Sequence, residues 1–199
     1  AGSAIAAIAV ATGNSDVVWV GHNNGDVFLA TNGTSSTPTW VQKDTNAPGL
    51  PNRAVTSIAV DPADSQTAYV SFGGFSAGNV WVTHNRGDSW SDATGTGGTQ
   101  LPAAPVRYVV RHPTAAGWLY AATDVGLFAS EDGGASWHLP HDGPSNVAVF
   151  QVFFLGNTLV AVTHGRGLYT ADVTPPSTPP AIVAQPASLA PQSTAPFTN

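Results

Sequence analysis

The 199-residue chain has no cysteine, which excludes a disulfide framework and any thiolate metal site. Charge is scarce as well. Six Lys and Arg stand against twelve Asp and Glu, a formal net charge of −6, and Glu131 and Lys43 are each the single residue of their type. A helical surface laced with salt bridges cannot be built from this set. The five arginines, Arg53, Arg86, Arg107, Arg111 and Arg166, are scattered, and without a basic cluster no nucleic-acid partner is expected. No apolar run reaches the ~18 residues of a membrane span. No segment sustains a 3.6-residue period, so helices should be nearly absent. The chain opens at Ala1 with no initiator Met and no leader, and reads as a processed product or a part of something longer.

What the sequence has in quantity is turn formers, 21 Gly and 16 Pro, with six Trp and eight Phe scattered among small residues. That mixture suits short strands joined by tight turns. Self-comparison shows a repeat. Ile5-Ala-Ala-Ile-Ala-Val10 aligns with Val55-Thr-Ser-Ile-Ala-Val60, Val106-Arg-Tyr-Val-Val-Arg111 and Val149-Phe-Gln-Val-Phe-Phe154. A second strand follows each around Trp19, Tyr69, Tyr120 and Val160, and a third around Phe28, Trp81, Phe128 and Tyr169. Trp40, Trp90 and Trp137 then head a fourth strand in three of the units. Four short strands in a unit of roughly 50 residues match a β-propeller blade. The expected fold is therefore all-β: four antiparallel blades at about 4–45, 54–94, 105–141 and 147–172, the last lacking its outer strand. Within residues 174–199 the Pro, Ser, Thr and Ala composition predicts an extended tail.

One octapeptide pattern occurs twice between third and fourth strands: Thr83-His-Asn-Arg-Gly-Asp-Ser-Trp90 and Ser130-Glu-Asp-Gly-Gly-Ala-Ser-Trp137. It resembles the Asp-box, Ser/Thr-x-Asp/Asn-x-Gly-x-x-Trp, of the BNR-repeat propellers. Its hydroxyl (Thr83, Ser130) and its amide or carboxylate (Asn85, Asp132) can bond local amides. Gly87 and Gly134 accept a left-handed conformation, and Trp90 and Trp137 cover the turn. The wider wording, Leu50-Pro51, Ile58-Ala-Val-Asp-Pro62 and Thr163-His-Gly-Arg-Gly-Leu-Tyr169, is similar to secreted bacterial BNR-repeat proteins labelled glycosyl hydrolase-like. That superfamily includes sialidases, xyloglucanase-type enzymes and sortilin-like receptors. The resemblance covers roughly residues 4–172 and implies a secreted or cell-surface bacterial protein.

For activity the resemblance implies less, because Asp-boxes mark hairpins away from a catalytic face. A sialidase needs converging arginines and a Tyr/Glu pair, yet Arg86 and Glu131 both lie inside the octapeptide turns, so a complete site of that kind is not expected. A xyloglucanase-type pair of carboxylates would draw on Asp61, Asp124 or Asp26, although Asp61-Pro62 is also a natural turn former. Phe72 and Phe75, in a Gly-rich loop, are the best candidates for a sugar platform. His164 and Arg166 are binding candidates in a glycine-flanked turn. Only His138 and His141, beside Asp142, have a ligand-like spacing, and an exposed turn is the expected reading, so no metal or other cofactor is expected.

Together these readings predict a non-catalytic extracellular module for binding or assembly, with a protein or glycan partner. Self-association would use the tail, docked on its own or a neighbouring chain, and the open blade edge. The alternative is part of a glycoside hydrolase acting on polysaccharide. A pair of facing carboxylates would favour the enzyme.

Overall fold

The computed structural model describes residues 3–46, 48–140 and 143–175. The expected tail docking concerns residues outside these. Four antiparallel sheets follow one another along the chain. The first holds β1 (Ile5–Ala11), β2 (Asn14–His22), β3 (Val27–Ala30) and β4 (Val41–Gln42). The second holds β5 (Val55–Val60), β6 (Ala68–Phe72), β7 (Val80–Thr83) and β8 (Ser91–Asp92). The third holds β9 (Val106–Arg111), β10 (Leu119–Thr123) and β11 (Gly126–Ser130), and the fourth β12 (Val149–Leu155), β13 (Thr158–Thr163) and β14 (Leu168–Asp172). Among the described residues the helical content is one 3-10 turn, Gly97–Thr99.

Within each sheet every strand pairs with its neighbour in sequence. The third sheet departs from expectation. In place of a fourth strand, two isolated bridges lie beside β11 among the described residues, Gly126 with Ser145 and Ala129 with His138. Leu139-Pro140 follows, and a proline has no amide with which to extend the ladder.

The core lies in layers between successive sheets. Trp19, Val27 and Leu29 of the first sheet meet Val55, Ile58 and Phe72 of the second. Tyr69, Val80 and Val82 of the second meet Val106 and Val109 of the third. Tyr120 and Leu127 of the third meet Val149, Val152 and Leu159 of the fourth. The period of two turns one set of each sheet's side chains toward its predecessor and the other toward its successor. Each fully buried large side chain contributes about 1.5–3 kcal/mol. The first strands of consecutive sheets adjoin, β1 with β5, β5 with β9 and β9 with β12. Polar side chains join them too: the Thr56 hydroxyl donates to the Val106 carbonyl (2.6 Å), and the Val109 amide donates to Ser57 Oγ (2.8 Å). Among the described residues no comparable contact returns from β12 to β1. The sheets form an open arc.

The two octapeptides fold into the same turn. In one, the Thr83 hydroxyl donates to Asn85 Oδ1 and accepts the Gly87 amide (2.8 Å), while Ser89 N–H donates to Asn85 Oδ1. In the other, Ser130 donates to Asp132 Oδ1 and accepts the Gly134 amide (2.9 Å), and Ser136 N–H donates to Asp132 Oδ1. Trp90 and Trp137 are buried, and each indole N–H donates to a carbonyl of the preceding sheet's outer segment, Lys43 (2.9 Å) and Ala93 (2.8 Å). The turns therefore fasten one sheet to the last.

Candidate functional site

At one end of all four sheets lie the starts of the first strands and the turns between second and third strands, because the pairing is antiparallel throughout. Each first strand carries a register shift at its second residue. The pairing skips between Ile5 and Ala7, between Val55 and Ser57, and between Val149 and Gln151, and in the third sheet it passes from Tyr108 to Val106. Such bulges re-aim a side chain. The residues so released are Ala6, Thr56, Arg107 and Phe150. They form a row along the ends of the first strands.

In the third and fourth sheets this row becomes a chemical surface. The Asp124 amide donates to the Pro105 carbonyl (3.2 Å), which sets the β10–β11 turn against the start of β9. There the Arg107 guanidinium pairs with the Asp124 carboxylate. The same guanidinium lies 4.5 Å from the centre of the Phe150 ring. Phe150 stands 5.2 Å from the His164 ring, the planes tilted by 35°. His164 is held by its amide, which donates to the Ala148 carbonyl (2.8 Å). The Thr163 hydroxyl clamps the turn by donating to Gly167 O (2.7 Å), as Thr123 does to Gly126 O (2.7 Å). Arg107, Phe150 and His164 are all exposed. An exposed ion pair and an exposed cation–π contact contribute roughly 1 kcal/mol or less each. The row is thus too weak to serve as the fold's fastening. It presents a carboxylate, a planar cation and two ring faces to solvent, suited to hydrogen-bonding hydroxyls and stacking on the apolar face of a pyranose.

The other predicted residues are placed as follows. Phe72 is not a platform residue. It pairs with Val55 across the sheet and is fully buried, because the alternation of β6 runs one residue further than the adjacent glycines suggest. Phe75 is 77% exposed on the same end as Asp124, in a turn braced by Asn79 Nδ2, which donates to the carbonyls of Gly74, Ser76 and Ala104. Asp26 lies in the β2–β3 turn, bonded by Asn24 Nδ2 (2.7 Å). Arg166 is exposed beside His164.

Asp61 lies at the opposite end, buried, 2.9 Å from Arg111 Nη1. It accepts the Ala63 amide (2.8 Å), and at the equivalent place in the third unit His112 Nδ1 accepts that of Ala115 (2.9 Å). Asp61 is accounted for by its turn and its ion pair. His138 is described, but His141 and Asp142 lie outside the described residues, among which no group of three potential ligands gathers. Nor is any described helix long and apolar enough to cross a membrane.

Arg107 and Phe150 escaped the sequence reading. The signal was one alignment column. Position two of the first strand reads Ala, Thr, Arg, Phe, while position one reads Ile, Val, Val, Val.

No protein-family model matches the chain. Among curated proteins, a xyloglucanase of Hypocrea jecorina (strain QM6a) is 38% identical over 80 residues, 40% of this chain and 9% of that protein. Among solved structures, an ancestral GH74 enzyme matches with TM-score 0.63 at 23% identity, over 80% of this chain and 22% of its own. The GH74 xyloglucanase from Xanthomonas campestris matches with TM-score 0.62 at 15% identity, over 85% and 29%. An extracellular domain described as that of a hybrid two-component system from B. thetaiotaomicron matches with TM-score 0.62 at 19% identity, over 86% and 21%. The chain thus spans under a third of the enzymes it resembles. Its fold is distantly related to the GH74 architecture of several small antiparallel sheets. These likenesses overturn the expected non-catalytic binding or assembly module and favour the glycoside hydrolase alternative.

Proposed function

We propose that this chain is a section of a xyloglucanase-like glycoside hydrolase acting on polysaccharide outside the cell. Its four sheets are blades of a propeller within residues 1–173, and Thr83–Trp90 and Ser130–Trp137 are Asp-boxes that fasten blade to blade. The observation carrying this reading is the row of half-buried Asp124 and exposed Arg107, Phe150 and His164, in a chain similar over 80 residues to a xyloglucanase. Glycoside hydrolysis uses one carboxyl group as acid and a second as base or nucleophile. Asp124 takes one role, positioned by Arg107. Asp26, at the same end of the first sheet, is the candidate for the second. Phe150, His164 and Phe75 form the sugar-stacking surface.

The test uses the full chain with xyloglucan oligosaccharides, following release of reducing ends and, separately, binding by calorimetry. Asp124→Asn is expected to lower kcat by about 10²–10⁴-fold with binding retained, the scale of a lost general acid or base. Phe150→Ala is expected to weaken binding with less effect on kcat. Absence of both binding and hydrolysis in the parent chain, or hydrolysis untouched by Asp124→Asn, overturns the proposal.

A further inference from the structure

The junction between the second and third sheets, internal to the chain with both walls in place, departs from the repeat at four positions. All four line one polar cavity of about 300 Å³ or border it. The last aligned position of the first strand reads Val10, Val60, Arg111, Phe154, and the residue after it Ala11, Asp61, His112, Leu155. Arg111 of the third unit and Asp61 of the second thus bring opposite charges to one junction. They meet at 2.9 Å, their side chains 9% and 10% exposed. The other two positions are glycines. In the second unit the octapeptide turn is tied to the β5–β6 turn by the Arg86 amide, which donates to the Gln66 carbonyl (2.9 Å). In the third unit the same bond runs from Gly133 to Gly117 (2.9 Å), so both side chains of that pair are missing from the cavity wall. A Cβ at Gly133 would meet the Tyr69 hydroxyl oxygen at 3.5 Å.

The groups around this space have hydrogen-bonding capacity that the fold does not use. Tyr69 is 4% exposed, and its hydroxyl lies on the cavity with no protein hydrogen-bond partner among the described residues. Burial raises the phenol above its ordinary 10.0, so it is a donor at neutral pH. The Arg111 guanidinium meets Asp61 through Nη1, which leaves its other N–H groups to donate. Asp61 receives both that nitrogen and the Ala63 amide on Oδ1, so Oδ2 is left to accept. The Thr67 hydroxyl donates to Asp64 Oδ2 (3.0 Å). His84 Nδ1, 3.1 Å from the same hydroxyl, is therefore the donor to it, and Nε2 of the neutral ring carries the lone pair.

Two carboxylates, Asp61 and Asp132, line the cavity with one guanidinium. That balance disfavours an anion, and the guanidinium disfavours a metal cation. Donors beside acceptors suit uncharged hydroxyl groups, each of which donates once and also accepts. The volume is at the small end of ligand sites, enough for one ring and not for a chain. We propose that this cavity binds a single uncharged sugar residue, with Tyr69 and Arg111 donating to its hydroxyls and Asp61 Oδ2 accepting from one. The cavity lies at the opposite end of the sheets from Asp124 and Phe150, so it is a separate site, and the inference does not depend on the hydrolase reading.

Glucose, galactose, xylose and a xyloglucan oligosaccharide are titrated separately into the isotope-labelled full chain, and backbone amide shifts are followed by NMR. At least one is expected to shift the Gly117 and Gly133 amides saturably at millimolar concentration. A response to a free monosaccharide marks a soluble ligand, and a response to the oligosaccharide alone marks a branch residue of a polymer. Tyr69→Phe keeps the buried ring and removes a hydroxyl the fold does not use, and is expected to weaken binding about threefold to tenfold. Gly133→Arg copies Arg86, which holds a positive φ of 57° in the sister turn, and is expected to abolish binding with an unchanged circular dichroism spectrum. Several results overturn the proposal: no sugar moves Gly117 and Gly133, Tyr69→Phe or folded Gly133→Arg binds as the parent does, or acetate or inorganic phosphate moves these amides in preference to the sugars.

Discussion

If the octapeptide turns fasten each sheet to its predecessor, a single methyl group at Gly134 should loosen the fastening. Gly134 has φ +94°, and a Cβ there would sit 2.6 Å from the Ala93 carbonyl oxygen and 2.9 Å from the Ala93 Cβ. The left-handed backbone alone costs an alanine roughly 1–2 kcal/mol. Relieving the clash adds about 1–3 kcal/mol of overpacking. The same Ala93 carbonyl accepts the Trp137 indole N–H, so displacing it weakens a bond of about 1 kcal/mol. Gly134→Ala should therefore cost about 3–6 kcal/mol, and at roughly 2–4 °C per kcal/mol for a chain of this size its melting temperature should fall by about 6–24 °C. Gly156 provides the comparison. It also has positive φ, +61°, but a Cβ there meets nothing within 4 Å. Gly156→Ala should cost only the backbone strain of ~1–2 kcal/mol and lower the melting temperature by about 2–8 °C. The assay is thermal unfolding by far-UV circular dichroism. Equal melting temperatures for the two variants would refute the reasoning, since backbone strain would then account for everything and the contact with Ala93 for nothing.

Other perturbations separate core from surface and charge from turn. Phe72→Ala should cost about 3–5 kcal/mol in urea unfolding, whereas Phe75→Ala should change stability by less than about 0.5 kcal/mol. Arg111→Met leaves the Asp61 carboxylate in a buried site without its partner, and should cost about 3–5 kcal/mol, unlike Arg107→Met at the exposed pair. Asp132 feels an opposing pull from burial, but hydrogen bonds from Ser136 and Ser130 outweigh it and hold the carboxyl below its ordinary value of 3.8. A lowered folded-state value means stability that is present above the ordinary value and lost as pH falls through the folded one. Asp132→Asn, which copies Asn85 in the sister turn, should therefore flatten the loss of melting temperature below about pH 4; an unchanged acid limb would show that this carboxylate is not what titrates.

The strands were legible because apolar residues alternate at the same places in each unit, and a position such as Val55, Val106 or Val149 is held by one kind of side chain for one physical reason. The third sheet's missing outer strand was harder. Trp137 has the same role as Trp90 in its turn, but Pro140 ends the ladder before pairing develops, and the tryptophan's packing does not require a strand after it. Phe72 misled for the opposite reason. Two glycines beside it suggest a loop, while its position at the end of an alternating run, opposite Val55, makes it core.

The row at Arg107 and Phe150 could not be read from alternation at all, because a bulge is a property of two strands in register and neither strand shows it alone. Once the bulge is known, the column it occupies becomes informative through its inconstancy. Ala6, Thr56, Arg107 and Phe150 share a backbone position and no chemistry, so the fold does not choose among them. In a repeat protein, positions that agree between units are set by the sheets they pack. Positions that disagree are not chosen by that packing. For this chain the departures from the repeat are where function is to be sought.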